Sequence, residues 1–317
     1  MIDDFPYLVD ELAGSPLRLG TRASRMALAQ ADMVAHALRF GVGREVELVK
    51  ITATGDAPAA PHGQHSDTGV FVSALREQVL RGNIDAAVHS LKDLPSTAAD
   101  PRLTMAAIPR RDDPRDALVA GARLDELPAG TRIGTSSARR VAMLRALRPD
   151  LTYVPIRGNL ETRIGSIVDG TVDAVVLAVA GLRRMGRGPA IAQIFTIDEL
   201  LPAPGQGAVA IECLTERVDL RHTLSRLTDR RTRTAVTAER DVLAHLRTCR
   251  TDPVGAYAAD DGHLLTLTAA LASPDGRWAR VTGTDDSGNA CHLAYDLAYD
   301  LLTRHHDARA PHASAET

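Results

Sequence analysis

The sequence predicts a three-domain α/β protein: two lobes, each built on a mostly parallel sheet, followed by a small α+β domain. Three observations carry that expectation. The chain has 317 residues, more than one ordinary hydrophobic core accommodates. It also repeats itself. Arg18-Leu19-Gly20-Thr21 returns as Arg132-Ile133-Gly134-Thr135, and Gly82-Asn83-Ile84-Asp85-Ala86-Ala87-Val88 returns, in the same order, as Gly170-Thr171-Val172-Asp173-Ala174-Val175-Val176. Finally, the pattern of alternating strands and helices changes after Leu201.

In the first lobe, the strand ending near Thr21 leads through a polar loop into a helical pattern over Met26–Leu38. Short apolar, β-branched runs at Val46–Thr52 and Ala86–His89 read as further strands. In the second lobe the matching helix covers Val141–Leu147, and the strands are Val154–Ile156 and Ala174–Leu177. Strands separated by helices imply a parallel arrangement. Pro202-Ala203-Pro204-Gly205-Gln206-Gly207 is a turn-rich connection. The strand after it, Ala208–Cys213, is expected to return to the first lobe. A helix over Arg231–Leu246 opens the third domain. Strands at Gly255–Ala259, His263–Ala272 and Trp278–Thr284 are divided by Asp-Asp-Gly and Pro-Asp-Gly turns, and a helix over Asn289–His305 closes the domain. The expected boundaries are 16–108 with 205–226, then 109–204, then 227–306. Residues 1–15 and 307–317 are tails, the latter expected to be disordered.

Composition narrows the function. The chain is 44% hydrophobic and 24% charged, with a net charge of −3, so no global basic surface recruits nucleic acid. No apolar run approaches the roughly 20 residues of a membrane helix, and Met1–Ser15 lacks the pattern of a secretory signal. A cytoplasmic protein is expected. Cys213, Cys249 and Cys291 are too few and odd in number for a disulfide framework; Cys213 and Cys291 read as buried core residues. Lys50 and Lys92 are the only lysines, so arginine is common and counts only at special positions.

Such positions occur at the ends of the strands, where open α/β sheets bind ligands. The first-lobe loop carries Arg22 and Ser24; the matching loop carries Thr135, Ser136, Ser137, Arg139 and Arg140. Arg157 follows an apolar strand, Arg163 lies one helical turn further on, and Arg184 closely follows Ala178–Leu182. Hydroxyls, guanidinium groups and helix N-termini together suit carboxylates. The two lobes are expected to form a cleft for a small polycarboxylate. Ser90-Leu91-Lys92-Asp93-Leu94-Pro95 places a carboxylate beside a lysine at a strand end, a candidate for acid/base work or for stabilising a cation.

These segments resemble the porphobilinogen deaminase (hydroxymethylbilane synthase) family over about Pro16–His305. The carriers are Val88–Pro95, Asp112–Ala117, Gly134–Arg140, Ile156–Asn159 with Thr162-Arg163, Val176–Gly181, Pro204–Ala208 and Thr237–Arg240. The resemblance implies an enzyme that joins porphobilinogen units head to tail into a linear tetrapyrrole, releasing ammonia, on a covalent dipyrromethane cofactor. It implies that Arg22, Ser24, Ser136, Arg157, Arg163, Arg184 and Gln206 bind substrate, and that Thr135, Ser137, Arg139 and Arg140 contact the cofactor. Asp93, beside Lys92, would assist loss of ammonia and stabilise the cationic azafulvene-like intermediate. The family is usually monomeric.

Two segments depart from the family. Its cofactor-bearing cysteine lies in a loop reading approximately Leu-Glu-x-Gly-Cys-x-x-Pro-x-Gly. Here, counted from Leu246 or from Pro253, that position holds Arg250, and Cys249 stands one place earlier. In one reading the loop shifts, Cys249 carries the dipyrromethane, and Arg250 helps keep the thiol ionised. In the other the anchor is lost and Arg250 enters the cleft as another cation. The second departure is Pro61–Thr68, slightly short, with Thr68 where the family has lysine; its His62 and His65 read as solvated loop residues rather than metal ligands. Three functions stand side by side: the tetrapyrrole-forming deaminase, a diverged paralogue without the covalent anchor acting on another small carboxylate or pyrrole-like substrate, and a non-catalytic carboxylate-binding module. The last follows from the two-lobed resemblance to periplasmic binding proteins.

Overall fold

The computed structural model describes residues 15–52, 67–96, 100–246, 253–272 and 278–309, with backbone alone for 67–71 and 306–309. The chain divides into two compact units, 1–110 with 209–229 and 111–208 with 230–317.

In the first unit, β1 (Leu17–Arg22), α1 (Arg25–Ala37), β2 (Val46–Ile51), α2 (Asp67–Leu80), β3 (Ala86–Ser90) and β4 (Leu103–Ala107) follow in order. The second unit opens with β5 (Asp116–Val119), β6 (Arg132–Gly134), α3 (Ala138–Leu147), β7 (Thr152–Val154), α4 (Leu160–Val168), β8 (Ala174–Ala178), α5 (Val179–Arg184) and β9 (Ile191–Ile194). The chain then returns to the first unit as β10 (Val209–Leu214) and α6 (Val218–Ser225). It finishes in the second with α7 (Arg230–His245), β11 (Val254–Asp260), β12 (Leu264–Ala272), β13 (Trp278–Asp286) and α8 (Ala290–Arg309).

The first sheet runs β2-β1-β3-β10-β4 and the second β7-β6-β8-β5-β9. In each, one strand is antiparallel to its neighbours, β10 in the first and β5 in the second; the other four share a direction. The expected return of the chain into the first lobe is therefore present. The expectation missed β4, β5, β9, α2, α5 and α6, and it placed β7 two residues late. Side chains alternate between two covered faces with the two-residue period of a strand. Leu17, Leu19, Ala86 and Val88 point to the face covered by α1 and α6, while Ala87 meets Leu75 and Val79 of α2 on the other.

The sequence repeat is a structural repeat down to its hydrogen bonds. Arg18 gives its backbone N–H and Nε to Asp85 Oδ2 (2.8 and 3.2 Å), Nη2 to Asp85 Oδ1 (2.8 Å) and Nη1 to Asn83 O (3.0 Å). Arg132 does the same with Asp173 Oδ2 (2.8 and 3.1 Å), Asp173 Oδ1 (2.7 Å) and Thr171 O (3.1 Å). The repeated glycines are steric. A Cβ on Gly20 would lie 2.2 Å from Ile84 Cδ1, and one on Gly134 would lie 2.8 Å from Ile156 Cδ1 and 3.2 Å from Val172, the residue corresponding to Ile84.

The third sheet, β11-β12-β13, is covered by α7 and α8 and has its own core. It is not a separate unit. Ala270 is buried in the second-lobe core beside Tyr257 and Trp278, and the Ala256 N–H donates to Pro202 O at 3.0 Å. The closing helix reaches Arg309, past the expected start of the tail at Asp307. Cys213 is buried as expected, but Cys291 is exposed on α8 and is no core residue.

Candidate functional site

In the first unit, a pocket open to solvent forms at the carboxyl ends of β1 and β3. Arg22 and Ser24 supply one side, Gln30 of α1 another, and His89, Ser90 and Asp93 a third. Ser24 is the N-cap of α1, where its Oγ accepts the Ala27 N–H at 3.3 Å, and Thr21 Oγ1 donates to Ala27 O at 3.0 Å. The N-terminal turn of a 13-residue helix therefore faces the pocket, with its partial positive charge. Asp93 ends the short turn Leu91–Asp93 after β3 and is half-buried. Lys92, its neighbour on that turn, is exposed and does not line the pocket. Of the expected pair, Asp93 lines the pocket, and Lys92 stands next to it on the same turn.

Behind the pocket, on the α2 face of the sheet, lies an ion group that the sequence reading did not identify. Arg76 of α2 donates Nε to Glu212 Oε2 and Nη2 to Glu212 Oε1, both at 2.9 Å. His89 Nε2, buried and without a hydrogen-bond partner among the described residues, stands 3.5 Å from the same carboxylate. Burial pushes the Glu212 carboxyl up, but His89 and Arg76 outweigh it and hold it down at about 2.

In the second unit, the predicted residues again gather at strand ends. Ser137 caps α3 by accepting the Arg140 N–H at 3.4 Å, buried Thr135 Oγ1 accepts the Ser137 N–H at 3.3 Å, and Ser136 Oγ donates to Ile156 O at 2.5 Å. Asn159 caps α4, Arg163 Nε donates to Gly158 O at 2.9 Å, and Arg157 is exposed beside them. Arg184 is tied down, with Nε on Asp112 Oδ2 at 2.7 Å and Nη2 on Gly207 O at 2.9 Å.

Arg139 and Arg140 are buried on Asp116, which is 0% exposed. Arg139 Nη2 lies 2.8 Å from Asp116 Oδ2, and Arg140 Nη2 lies 2.6 Å from Asp116 Oδ1. Their remaining bonds run to Leu201 O and Val176 O. Burial would raise the Asp116 carboxyl, but the charges of Arg140 and Arg139 hold it well below the carboxylate range; burial lowers Arg139. One carboxylate against two guanidinium groups leaves a buried surplus of one positive charge, a setting that favours an anionic ligand. Gln206 was expected to bind substrate. It is instead fully buried, giving its amide to Pro114 O (2.7 Å) and Asp116 Oδ1 (2.8 Å), and so supports that cluster.

Cys249, Arg250 and Pro61–Ser66, with His62 and His65, lie outside the described residues, as does the side chain of Thr68. The functional residues that sequence reading missed left some signal. Gln30 is the one polar member of the buried helix face Ala27, Gln30, Ala31, Val34, Ala35. Glu212 is a charge within the apolar run of β10.

The comparisons agree with the geometry. The family model described as porphobilinogen deaminase, dipyromethane cofactor binding domain, matches residues 17–222. The chain is similar to the porphobilinogen deaminase of Thermobifida fusca (strain YX), 48% identical over 319 residues that cover 96% of this chain and 98% of that protein. It is also similar to porphobilinogen deaminase 1 of Streptomyces coelicolor, 51% identical over 248 residues that cover 76% and 77%. A solved structure of the methionine binding protein MetQ is similar at 13% identity and a TM-score of 0.42, covering 71% of this chain and 89% of that one; the likeness is too slight to carry an argument.

Proposed function

The chain belongs to the porphobilinogen deaminase family, and on that premise we propose how its own residues carry the family's reaction. The protein is a transferase that condenses porphobilinogen into hydroxymethylbilane with loss of ammonia. One observation carries the residue assignment: Arg22, Ser24 and the α1 N-terminus share a single pocket with Asp93. Porphobilinogen bears two carboxylates and an aminomethyl cation, and this pocket presents donors for the first and a carboxylate for the second. When the C–N bond breaks, its electron pair leaves with nitrogen as ammonia, and the positive charge stays on the methylene–pyrrole system. A fixed carboxylate beside that carbon stabilises the transition state more than the ground state.

The matched domain is the one that binds the dipyrromethane cofactor. When bound, that group supplies the nucleophilic pyrrole end to which units are added. The second-unit donors fit its acidic side chains: Thr135, Ser137, Arg139 and Arg140 around the surplus charge of the Asp116 cluster would hold it. Ser136, Arg157, Arg163 and Arg184 would take carboxylates of the chain under construction. Cys249 would bear the thioether, with Arg250 beside it lowering the thiol pKa. The working form is a cytoplasmic monomer acting on small polycarboxylates. No observation favours the paralogue or binding-module readings, and a carboxylate in an anion pocket gives a pure carboxylate binder nothing.

The test is direct. Protein from haem-making cells should exceed its sequence mass by one dipyrromethane, and Cys249→Ala should remove the increment. Asp93→Asn should keep the increment and the fold while turnover falls at least a thousandfold. Wild-type protein without added mass and without turnover sinks this reading.

A further inference from the structure

The fold is built twice in this chain with different side chains at equivalent places, and the second copy serves as a control for the first. Ser24 and Ser137 cap α1 and α3; six positions after each cap stand Gln30 and Met143, both buried. The second repeated segment makes Ser90 correspond to Ala178. The sheets agree, because Ser90 pairs with Val209 and Ala178 with Asp116, the first residues of β10 and β5. The second lobe thus forms strand, turn and helix with Met143 and Ala178 where the first has Gln30 and Ser90. A polar pair here is not something the fold requires, and burying an amide is costly unless it is bonded.

Gln30 is bonded to Ser90. Its Nε2 lies 3.0 Å from Ser90 Oγ, and Ser90 Oγ lies 3.2 Å from its Oε1. Both residues line the Asp93 pocket. Ser90 also stands at the N-cap of the turn that ends in Asp93, where a serine hydroxyl ordinarily turns back to cap; here it makes no capping bond. We infer that Gln30 is a positioning residue, whose amide draws the Ser90 hydroxyl away from the cap and holds it at the pocket wall beside Asp93. With its proton directed to Oε1, Ser90 Oγ offers its remaining lone pair to an N–H donor, the class of group a pyrrole or aminomethyl substrate presents.

The inference rests on the deaminase reading, and the experiment separates the two. Turnover of porphobilinogen and thermal midpoints are measured on the cofactor-loaded full chain for wild type, Gln30→Met, Ser90→Ala, the double variant and Asp93→Asn. Gln30→Leu replaces Gln30→Met should the latter not fold. Gln30→Met and Ser90→Ala should each lose about tenfold in kcat, a hydrogen bond's worth, far less than Asp93→Asn loses. The double variant should be no slower than Ser90→Ala alone, because Gln30 acts through Ser90. The double variant should melt within about 4 °C of wild type, since replacing both partners by apolar groups is nearly neutral, whereas Ser90→Ala, which leaves the buried Gln30 amide unbonded, should melt lower than the double variant while matching its kcat. Losses that multiply in the double variant, an unchanged kcat in Gln30→Met, or losses that track a falling midpoint overturn the inference. Absence of turnover in the wild type overturns the deaminase reading instead.

Discussion

Among single residues, the buried carboxylates show most clearly how charge is managed. Glu212 is held near a pKa of about 2 against an ordinary 4.5, so its folded form binds protons less readily than its unfolded form. Its stabilising effect is complete above about pH 4.5 and is lost as the pH falls towards 2. Glu212→Gln should therefore lower the thermal midpoint at pH 7 and flatten its dependence on pH over that acid range; calorimetry between pH 2.5 and 7 reads both. A variant whose acid profile overlays that of wild type would show that the Arg76 pair contributes nothing. Asp116 works in the same sense in the second unit, with two guanidinium groups in place of one guanidinium and an imidazole. Sequence reading found the arginines at positions 139 and 140 but not their partner. Asp116 is the first residue of the short apolar strand β5, and nothing local shows that it turns inward.

Among elements, the repeat was the most legible feature, because the same steric and ionic solution recurs in both halves. Gly20 and Gly134 let β1 and β6 pass under a branched side chain, and Arg18–Asp85 and Arg132–Asp173 tie each of those strands to the next parallel one. Gly20→Ala should cost about 1–3 kcal/mol, as its Cβ meets Ile84 Cδ1. Ile84→Val removes that atom and imports the residue of the second lobe. Urea unfolding of both singles and the double should show the double more stable than the sum of its parts predicts; simple additivity would count against the steric account. The less legible elements were short or atypical. β5 and β9 have four residues each, too few to show a period, and β4 takes its partner, β10, from residues about a hundred positions later. Pairing of that range is settled by tertiary contact, not by local pattern.

In the whole molecule, the third sheet and the second lobe behave as one body around Glu239. This carboxylate, 0% exposed, accepts from Arg111 Nη1 and Nη2 (2.6 and 3.1 Å), the Gly205 N–H (2.7 Å) and the Ala258 N–H (2.9 Å). It joins α7 and β11 to both segments through which the chain leaves and re-enters the first unit. Glu239→Gln should cost about 3 kcal/mol by leaving Arg111 short of a counter-charge. Hydrogen exchange should accelerate at Gly205 and Ala258 together while β1–β3 keep their protection; acceleration confined to one of the two amides would refute the joint role. The order of strands has a consequence for biosynthesis. β4 pairs only with β10 among the described strands. On the ribosome, the first lobe's sheet stays open until residue 214 emerges, whereas the second lobe has all its strands by residue 194. The half synthesised second is therefore the half whose sheet closes first, and β4 must wait, its edge unpaired, for a strand made about a hundred residues later.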